Sequence, residues 1–214
     1  MKEGQRRVAA TGPVPAVTVG PCGPDDVVAL RHAVLRPHTT VEHATFAEDS
    51  YPATAHFCAR DEAGSVVCVA TVWPEAPPWP AGDNPLSLLP PGPPAAPGTA
   101  ARSGDAAQNG AVAPHERPAA PRGLAPSTPG EAWRLRAMAT HPQWRGRGVG
   151  AAVVRAVTDH VAAQGGSLLW CNARLGARRF YERAGLTTWG EVWQEPVIGP
   201  HVVMYKRVAT RRRG

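Results

Sequence analysis

The sequence predicts a single α/β domain of the α+β type, with helices packed on one sheet. Segments with the two-residue alternation of strands outnumber those with the 3.6-residue period of helices, and the two kinds are interspersed. Hydrophobic residues make up 43% of the 214 residues, which is enough for one core. Neither half of the chain is long enough to fold alone, so we expect one domain over residues 1–214.

Seven segments are predicted to be strands, because they combine apolar alternation or short apolar runs with flanking turn residues. They are residues 16–20, 54–60, 66–73, 132–139, 167–172, 186–193 and 201–208. Asp61-Glu62-Ala63-Gly64 predicts a hairpin turn between the second and the third. Residues 168–170 are apolar without interruption, which indicates a buried central strand.

Three segments are predicted to be helices. The first begins at Pro24, where two acidic residues follow in the first turn, and it ends before Pro37. The second covers residues 150–164, in which valines recur on one face, and a Gly-Gly pair ends it. The third covers residues 177–184 and ends at Gly185. The predicted order of elements is β-α-β-β-β-α-β-α-β-β.

Residues 76–130 depart from this pattern, because they consist largely of proline, alanine, glycine and serine. Such a composition buries too little apolar surface to offset the entropy that is lost on ordering. We therefore expect a disordered insertion between two neighbouring strands, where extra length costs little. Residues 209–214 form a basic tail, which we expect to be a solvated chain end.

Composition and charge exclude several classes of function. No apolar stretch reaches the roughly 18 residues of a membrane span, and the N-terminal residues lack the apolar core of a secretory signal. We therefore expect a cytoplasmic protein without a membrane partner. The four cysteines show neither a CxxC pair nor zinc-site spacing, which favours reduced thiols and no metal. The net charge of +6 favours an anionic partner.

The loop Arg145-Gly146-Arg147-Gly148-Val149-Gly150 is the most informative motif, because it joins a predicted strand to a predicted helix. Alternating glycines allow several backbone N–H groups to converge at a helix N-terminus, where the helix dipole favours an anion. The two arginines add positive charge beside it. The motif therefore predicts a site for phosphate or pyrophosphate.

Two common phosphate-binding motifs do not account for this loop well. A P-loop requires a lysine after its last glycine, and none is present. Residues 146–151 do match the G-x-G-x-x-G/A pattern of dinucleotide-binding folds, in which case Arg174 would contact a 2′-phosphate. However, residues 151–214 are too few for the rest of a doubly wound sheet and a substrate domain, which argues against this interpretation.

Two motifs together resemble those of the GCN5-related N-acetyltransferase (GNAT) superfamily. The first is Met138-Ala139-Thr140-His141-Pro142 followed by the glycine loop, whose residues 145–150 match Arg-x-x-Gly-x-Gly/Ala. The second is Phe180-Tyr181-Glu182-Arg183-Ala184-Gly185-Leu186, which follows in the expected order. The resemblance implies the acyl-CoA acyltransferase fold, a mixed central sheet that is splayed at its middle and flanked by helices. Residues 195–204 also resemble the ending of the bacterial ElaA-like or a related branch.

The resemblance implies an N-acetyltransferase that moves an acetyl group from acetyl-CoA, its cosubstrate, to a primary amine of an unidentified small molecule or protein. The amine would attack directly, in a ternary complex. Backbone groups of Met138, Ala139 and Thr140 would orient the pantetheine arm and the thioester. The pyrophosphate would be bound by Arg145, Gly146, Arg147, Gly148, Val149, Gly150 and Ala151. Arg174 replaces an asparagine that contacts the arm in many members, and we include it in the cofactor site.

Tyr181 occupies the position of the family's catalytic tyrosine, and the resemblance implies that its hydroxyl protonates the leaving thiolate. The general base is left open between His201 and ordered water, with weaker candidates at Glu131, Glu191 and Glu195. A histidine suits the role because its ordinary pKa lies near neutrality.

Other functions stay open at this point. A GNAT-like module could bind acyl-CoA without turnover, although Tyr181 and the intact loop favour an enzyme. The arginines could instead bind nucleic acid, which we consider the less favoured partner. Acetyl-CoA and an amine acceptor are the expected partners, and a homodimer is an option.

Overall fold

The computed structural model describes residues 16–79, 130–196 and 198–209. Its strands are β1 (Thr18–Cys22), β2 (Ala55–Arg60), β3 (Val66–Pro74), β4 (Ala132–Thr140), β5 (Leu168–Arg174), β6 (Thr187–Glu195) and β7 (Gly199–Arg207). Its α-helices are α1 (Pro24–Leu35), α2 (Val149–Ala163) and α3 (Arg178–Arg183). The strands form one mixed sheet in the order β1-β2-β3-β4-β5-β7-β6, in which β4 and β5 are parallel and the other neighbours are antiparallel.

The predicted order of strands and helices is confirmed, but some boundaries differ. β1 begins two residues later than predicted and continues to Cys22, because Gly20 and Pro21 still pair with β2. β7 begins at Gly199 rather than at residue 201, because Gly199 pairs with Glu195 of β6. The described residues also include four short 3-10 turns that the sequence did not predict. They are Val41–Ala44, Ala47–Ser50, Pro142–Trp144 and Leu175–Ala177.

The helices cover both faces of the sheet. α1 packs Val27 and Leu30 against Cys58 and Val69, whereas α2 packs on the larger core that contains Phe57. Phe57 and Cys58 are adjacent in β2, so their side chains point to opposite faces. The predicted valine face of α2 is confirmed, with Val149, Val153, Val154, Val157 and Val161 buried. None of the helices within the described ranges is long and apolar enough to cross a membrane.

The predicted insertion at residues 76–130 connects β3 and β4, which are neighbours in the sheet. Most of that segment lies outside the described residues, as does most of the tail at 209–214. At its start, Trp79 is buried, and its ring centre lies 5.1 Å from that of Trp189 and 5.4 Å from that of Tyr205. The packing on this part of β6 and β7 therefore includes the chain up to residue 79.

α1 also carries a buried charge that the apolar pattern did not predict. Arg31 is 1% exposed. Its guanidinium donates two hydrogen bonds to the Asp49 carboxylate, at 2.7 and 2.9 Å, and others to the Ala44 carbonyl and the Thr71 hydroxyl. Asp49 also accepts a hydrogen bond from the Phe46 N–H. This network therefore fixes the two 3-10 turns after α1 against the helix and the sheet.

Asp49→Asn is expected to lower the free energy of unfolding by roughly 3–5 kcal/mol, because it leaves the buried Arg31 guanidinium without its counter-charge. Urea unfolding measures the change. Glu182→Gln is the control, since it breaks the exposed Arg178–Glu182 pair, for which about 0.5 kcal/mol or less is expected. A loss of less than about 1 kcal/mol for Asp49→Asn would contradict this account of the network.

Candidate active site

β4 and β5 separate after three residue pairs, and the gap between them is the central feature of the site. Residues 132–134 pair with residues 168–170. Beyond these pairs, β4 remains paired with β3 as far as Thr140, and β5 remains paired with β7 as far as Arg174. The backbone edges that face the gap are therefore not used in pairing with each other, which leaves their polar groups to a ligand or solvent.

A bulge in β4 lies beside this gap. Val69 pairs with Ala139 and Thr71 pairs with Arg136, so that three residues of β3 oppose four of β4. Ala137 has a positive φ of 53°, which is uncommon for a residue with a side chain. Because a bulge takes peptide groups out of the regular ladder, it reorients the backbone next to the predicted donor-binding end of the strand.

The glycine loop enters α2 through two residues in the left-handed region. Gly146 and Gly148 have φ values of 75° and 80°, and Gly148 is the N-cap of the helix. The Ala152 N–H donates to the Gly148 carbonyl, which begins the helical ladder. The amides of residues 148–151 therefore have no partner within the helix. They lie at the positive end of the helix dipole, where an anion is favoured.

Gly150 differs from the other two glycines of the loop, because it lies within α2. A Cβ at this position would come within 3.1 Å of the Phe180 ring and 3.2 Å of the Met138 side chain. Its missing side chain thus allows close packing between α2, α3 and β4. Of the other predicted loop residues in the helix, Val149 is buried and Ala151 is exposed.

The two arginines of the loop are exposed on either side of Gly146. Arg145 Nε donates to the Thr140 carbonyl at 3.1 Å, which ties the loop to the end of β4. The guanidinium of Arg147 lies 5.7 Å from the centre of the Trp144 ring. Both positive charges therefore remain close to the amides at the start of α2.

A cavity of about 180 Å³ lies at the gap. Its walls come from the end of α1 and the turn after it, from β4 and β5, from α3, and from the hairpin of β6 and β7. It brings together five residues that the sequence singled out, namely Met138, Arg174, Tyr181, Glu195 and His201. The loop residues 145–151, and the predicted Ala139 and Thr140, do not line it.

Tyr181 lies on α3 and borders the cavity, with 7% of its surface exposed. Its ring packs edge-on against Phe180, with 4.9 Å between the ring centres. Burial raises the pKa of the Tyr181 phenol well above its ordinary value, because the phenolate would lose its hydration. The hydroxyl therefore keeps its proton at neutral pH.

His201 lies on β7, on the other side of the gap, and is 4% exposed. Its Nδ1 lies 2.7 Å from the Gly199 carbonyl oxygen. A carbonyl can only accept, so Nδ1 carries the proton, and the neutral ring has a lone pair on Nε2 for a general base. Of the three glutamates considered from the sequence, Glu195 lines the same cavity, whereas Glu131 and Glu191 do not.

Arg174 lines the cavity at the end of β5, and its Nη2 donates to the Leu35 carbonyl at 3.2 Å. In this structure it therefore links β5 to the C-terminal end of α1. Asn172 lies two residues earlier on the same side of β5 and also lines the cavity. The sequence assigned Asn172 no role, because its spacing from Tyr181 differs from the family pattern.

The grouping of arginines around Phe46 was not predicted from the sequence. The guanidinium carbons of Arg31, Arg36 and Arg136 lie 4.9, 5.4 and 4.4 Å from the centre of the Phe46 ring. Arg136 also forms an ion pair with Glu48 at 3.3 Å. The alternation of arginine and apolar residues in β4 was a signal that one face of this strand is polar. Its contact with the turn after α1 could only be seen in the fold.

The described residues contain no group of three His, Cys, Asp or Glu side chains that could hold a metal ion. The four cysteines are free thiols. Burial raises the pKa of Cys171 to about 12 and that of Cys68 to about 11. These two thiols are therefore protonated near neutral pH and belong to the core.

Comparison with known proteins shows which proteins this chain is similar to. The family model described as the acetyltransferase (GNAT) family matches residues 110–186, which include β4, the glycine loop, α2 and α3. An uncharacterized N-acetyltransferase of Bacillus subtilis (strain 168), YitI, is 26% identical over 188 residues, which cover 88% of this chain and 94% of that protein.

Solved structures share the fold at low identity. An aminoglycoside 6′-N-acetyltransferase complexed with coenzyme A is 13% identical, with a TM-score of 0.56 over 92% of this chain and 99% of that chain. The ribosomal-protein-S18-alanine N-acetyltransferase from Escherichia coli is 12% identical, with a TM-score of 0.55 over 93% of this chain and 98% of that chain. The present chain is similar to N-acetyltransferases of the GNAT family and shares their fold. These relatives do not specify its branch.

The buried phenol can be tested by alkaline titration. Tyr181→Phe is expected to leave the tyrosinate absorbance of the folded protein unchanged near pH 10, where ordinary phenols titrate, because burial raises the pKa of the Tyr181 phenol above that range. The same titration in urea is the control, in which the variant should lack the signal of one phenol. A smaller signal from the folded variant than from the folded wild type would contradict the burial of the hydroxyl.

Proposed function

We propose that the protein is an enzyme that transfers an acetyl group from acetyl-CoA to a primary amine, by direct attack in a ternary complex. The observation that carries the proposal is that the protonated Tyr181 phenol shares one cavity with the bulged strand β4 and with His201. The match of residues 110–186 to the GNAT family model supports acyl-group transfer. The coenzyme A complex of an aminoglycoside 6′-N-acetyltransferase with this fold supports coenzyme A as the carrier.

The donor site is built from the loop and the gap. The amides at the start of α2, together with Arg145 and Arg147, bind the pyrophosphate. The pantetheine arm lies along the edge of β4 that faces the gap and takes the place of the missing strand partner, with Arg174 on the opposite side. The thioester carbonyl then accepts a hydrogen bond from the backbone beside the bulge, at Met138 or Ala139, which stabilises the oxyanion during attack.

The chemical step forms a C–N bond and breaks the C–S bond. The amine nitrogen attacks the thioester carbon, and the tetrahedral intermediate loses a proton from nitrogen. Tyr181 gives its proton to the departing sulfur, so that free coenzyme A leaves as a thiol. His201 Nε2 accepts the proton from nitrogen, and exchange with solvent returns both side chains to their starting states.

Tyr181→Phe is expected to lower kcat roughly 100-fold, because the thiolate then leaves without a positioned proton donor. The affinity for acetyl-CoA, measured by calorimetry, should stay near that of the wild type. Tyr51→Phe is the matched control, since Tyr51 is exposed and lies outside the cavity. A kcat equal to that of the wild type would remove Tyr181 from the mechanism.

Gly148→Ala tests the role of the loop in binding the donor. A side chain at a φ of 80° costs about 1–2 kcal/mol, so the loop is expected to relax and to weaken acetyl-CoA binding up to about tenfold. Gly64→Ala is the control, because Gly64 has a φ of 81° in the β2–β3 hairpin with equally open surroundings. Calorimetry that shows the same affinity for Gly148→Ala and Gly64→Ala would contradict the proposed phosphate site.

A further inference from the structure

We propose that the amine acceptor also carries a carboxylate, and that Arg36 and Arg136 bind this group on the β4 side of the cavity. The acceptor is then a molecule of the amino acid type, not a polyamine or another polycation. This inference rests on the proposed function, because it assigns a substrate class to the same site. It is carried by the charges around the cavity and by the positions of the arginines.

Positive charge dominates the described lining of the cavity. Four arginines line it, namely Arg36, Arg134, Arg136 and Arg174, and Glu195 is the one carboxylate among the lining residues. Two more carboxylates lie behind this lining. Glu75 pairs with Arg134 at 2.7 Å, and Glu48 pairs with Arg136 at 3.3 Å. Even with these two included, four positive charges face three negative charges.

The four arginines have different surroundings. Arg134 is 4% exposed and lies over the Trp170 ring, 4.9 Å from its centre, which together with its ion pair makes it part of the floor. Arg174 is directed towards the carbonyl at the end of α1. Arg36 and Arg136 line the cavity on the same side and share the Phe46 ring, and Arg136 keeps its ion pair with Glu48. They are therefore the pair that a ligand in the cavity meets on this side.

The electrostatic environment of Arg136 favours a bound anion. Burial lowers the pKa of its guanidinium, the neighbouring charges of Arg134 and Arg36 also lower it, and those of Glu48 and Glu75 raise it. Burial disfavours the charged form of a guanidinium, whereas an opposite charge close to it favours that form. A carboxylate between Arg36 and Arg136 would supply such an opposite charge, and guanidinium groups bind carboxylates with two parallel hydrogen bonds.

The β7 side of the gap carries less positive charge than the side of Arg36 and Arg136. Glu195 and His201 line it, and Arg174, which pairs with His201 across β5 and β7, directs its guanidinium to the Leu35 carbonyl. An amino group is therefore favoured beside Glu195 and His201 and a carboxylate beside Arg36 and Arg136. A polyamine would place its second ammonium against the arginines, and such like-charge contacts reject a ligand.

Matched acceptors test this assignment. Coenzyme A release from acetyl-CoA is measured with the protein amino acids, with the carboxamide of each, and with the amine left when each is decarboxylated. We expect kcat/KM for the preferred amino acid to exceed that of its carboxamide at least about tenfold, since a charged hydrogen-bonded pair is lost in the amide. Binding of the N-acetyl amino acids and their N-methylamides to the protein is measured by calorimetry, which requires no turnover.

Variants connect the preference to the two arginines. Arg36→Gln and Arg136→Gln should each reduce the ratio of kcat/KM for the amino acid to kcat/KM for its carboxamide several-fold. The KM for acetyl-CoA should stay near that of the wild type. Arg136→Lys should retain part of the preference for the acid. Arg60→Gln is the matched control, because Arg60 pairs with Asp26 and does not line the cavity. Thermal unfolding checks that each variant is folded. If Arg136→Gln does not fold, Arg36→Gln alone tests the assignment.

The acceptor assignment and the proposed function can be contradicted separately. If acetyl-CoA binds and amides or decarboxylated amines react as well as the acids, or if no amino acid reacts, the acceptor assignment is wrong and the donor site stands. If acetyl-CoA does not bind, the proposed function is wrong. In that case the calorimetry still tests the carboxylate site. Equal affinity for N-acetyl amino acids and their N-methylamides would overturn that site, and tighter binding of the N-acetyl amino acids would support it.

Discussion

The separation of β4 from β5 is the constraint on which the rest of the structure depends. If pairing continued past Arg134 and Trp170, the peptide groups of β4 would be used in the ladder, and no cavity would form. The bulge at Ala137 contributes to this separation, because it turns the backbone away from a regular register. Tyr181 of α3 and His201 of β7 then line the same cavity. Their proximity depends on the tertiary fold and not on the local structure of either residue.

The buried pair of Arg31 and Asp49 acts on the site through position. A buried ion pair is weak support for overall stability, but it specifies one arrangement of the groups that it joins. Here it fixes the turn that carries Phe46. Since Arg36 and Arg136 lie on the Phe46 ring, the charge on one side of the cavity follows from a salt bridge outside it.

Much of the fold and part of the candidate site could be predicted from the sequence. The apolar periods and turn residues gave the order of the elements, and the glycine loop and Tyr181 belong to local motifs. Other features depend on contacts distant in sequence. Alanine has no preference for positive φ, so the bulge at Ala137 was not predictable. The packing role of Gly150 depends on which side chains approach it, and the arginines around Phe46 meet only after the turn is fixed.

Amide hydrogen exchange with and without acetyl-CoA tests the central claim most directly, because it reports on the backbone groups of the gap and the loop. The account predicts slower exchange in two segments when acetyl-CoA is bound, residues 137–140 of β4 and residues 146–151 at the start of α2. The hairpin at residues 61–64 should not change. Unchanged exchange in both segments at saturating acetyl-CoA would contradict the claim that the gap between β4 and β5 binds the donor.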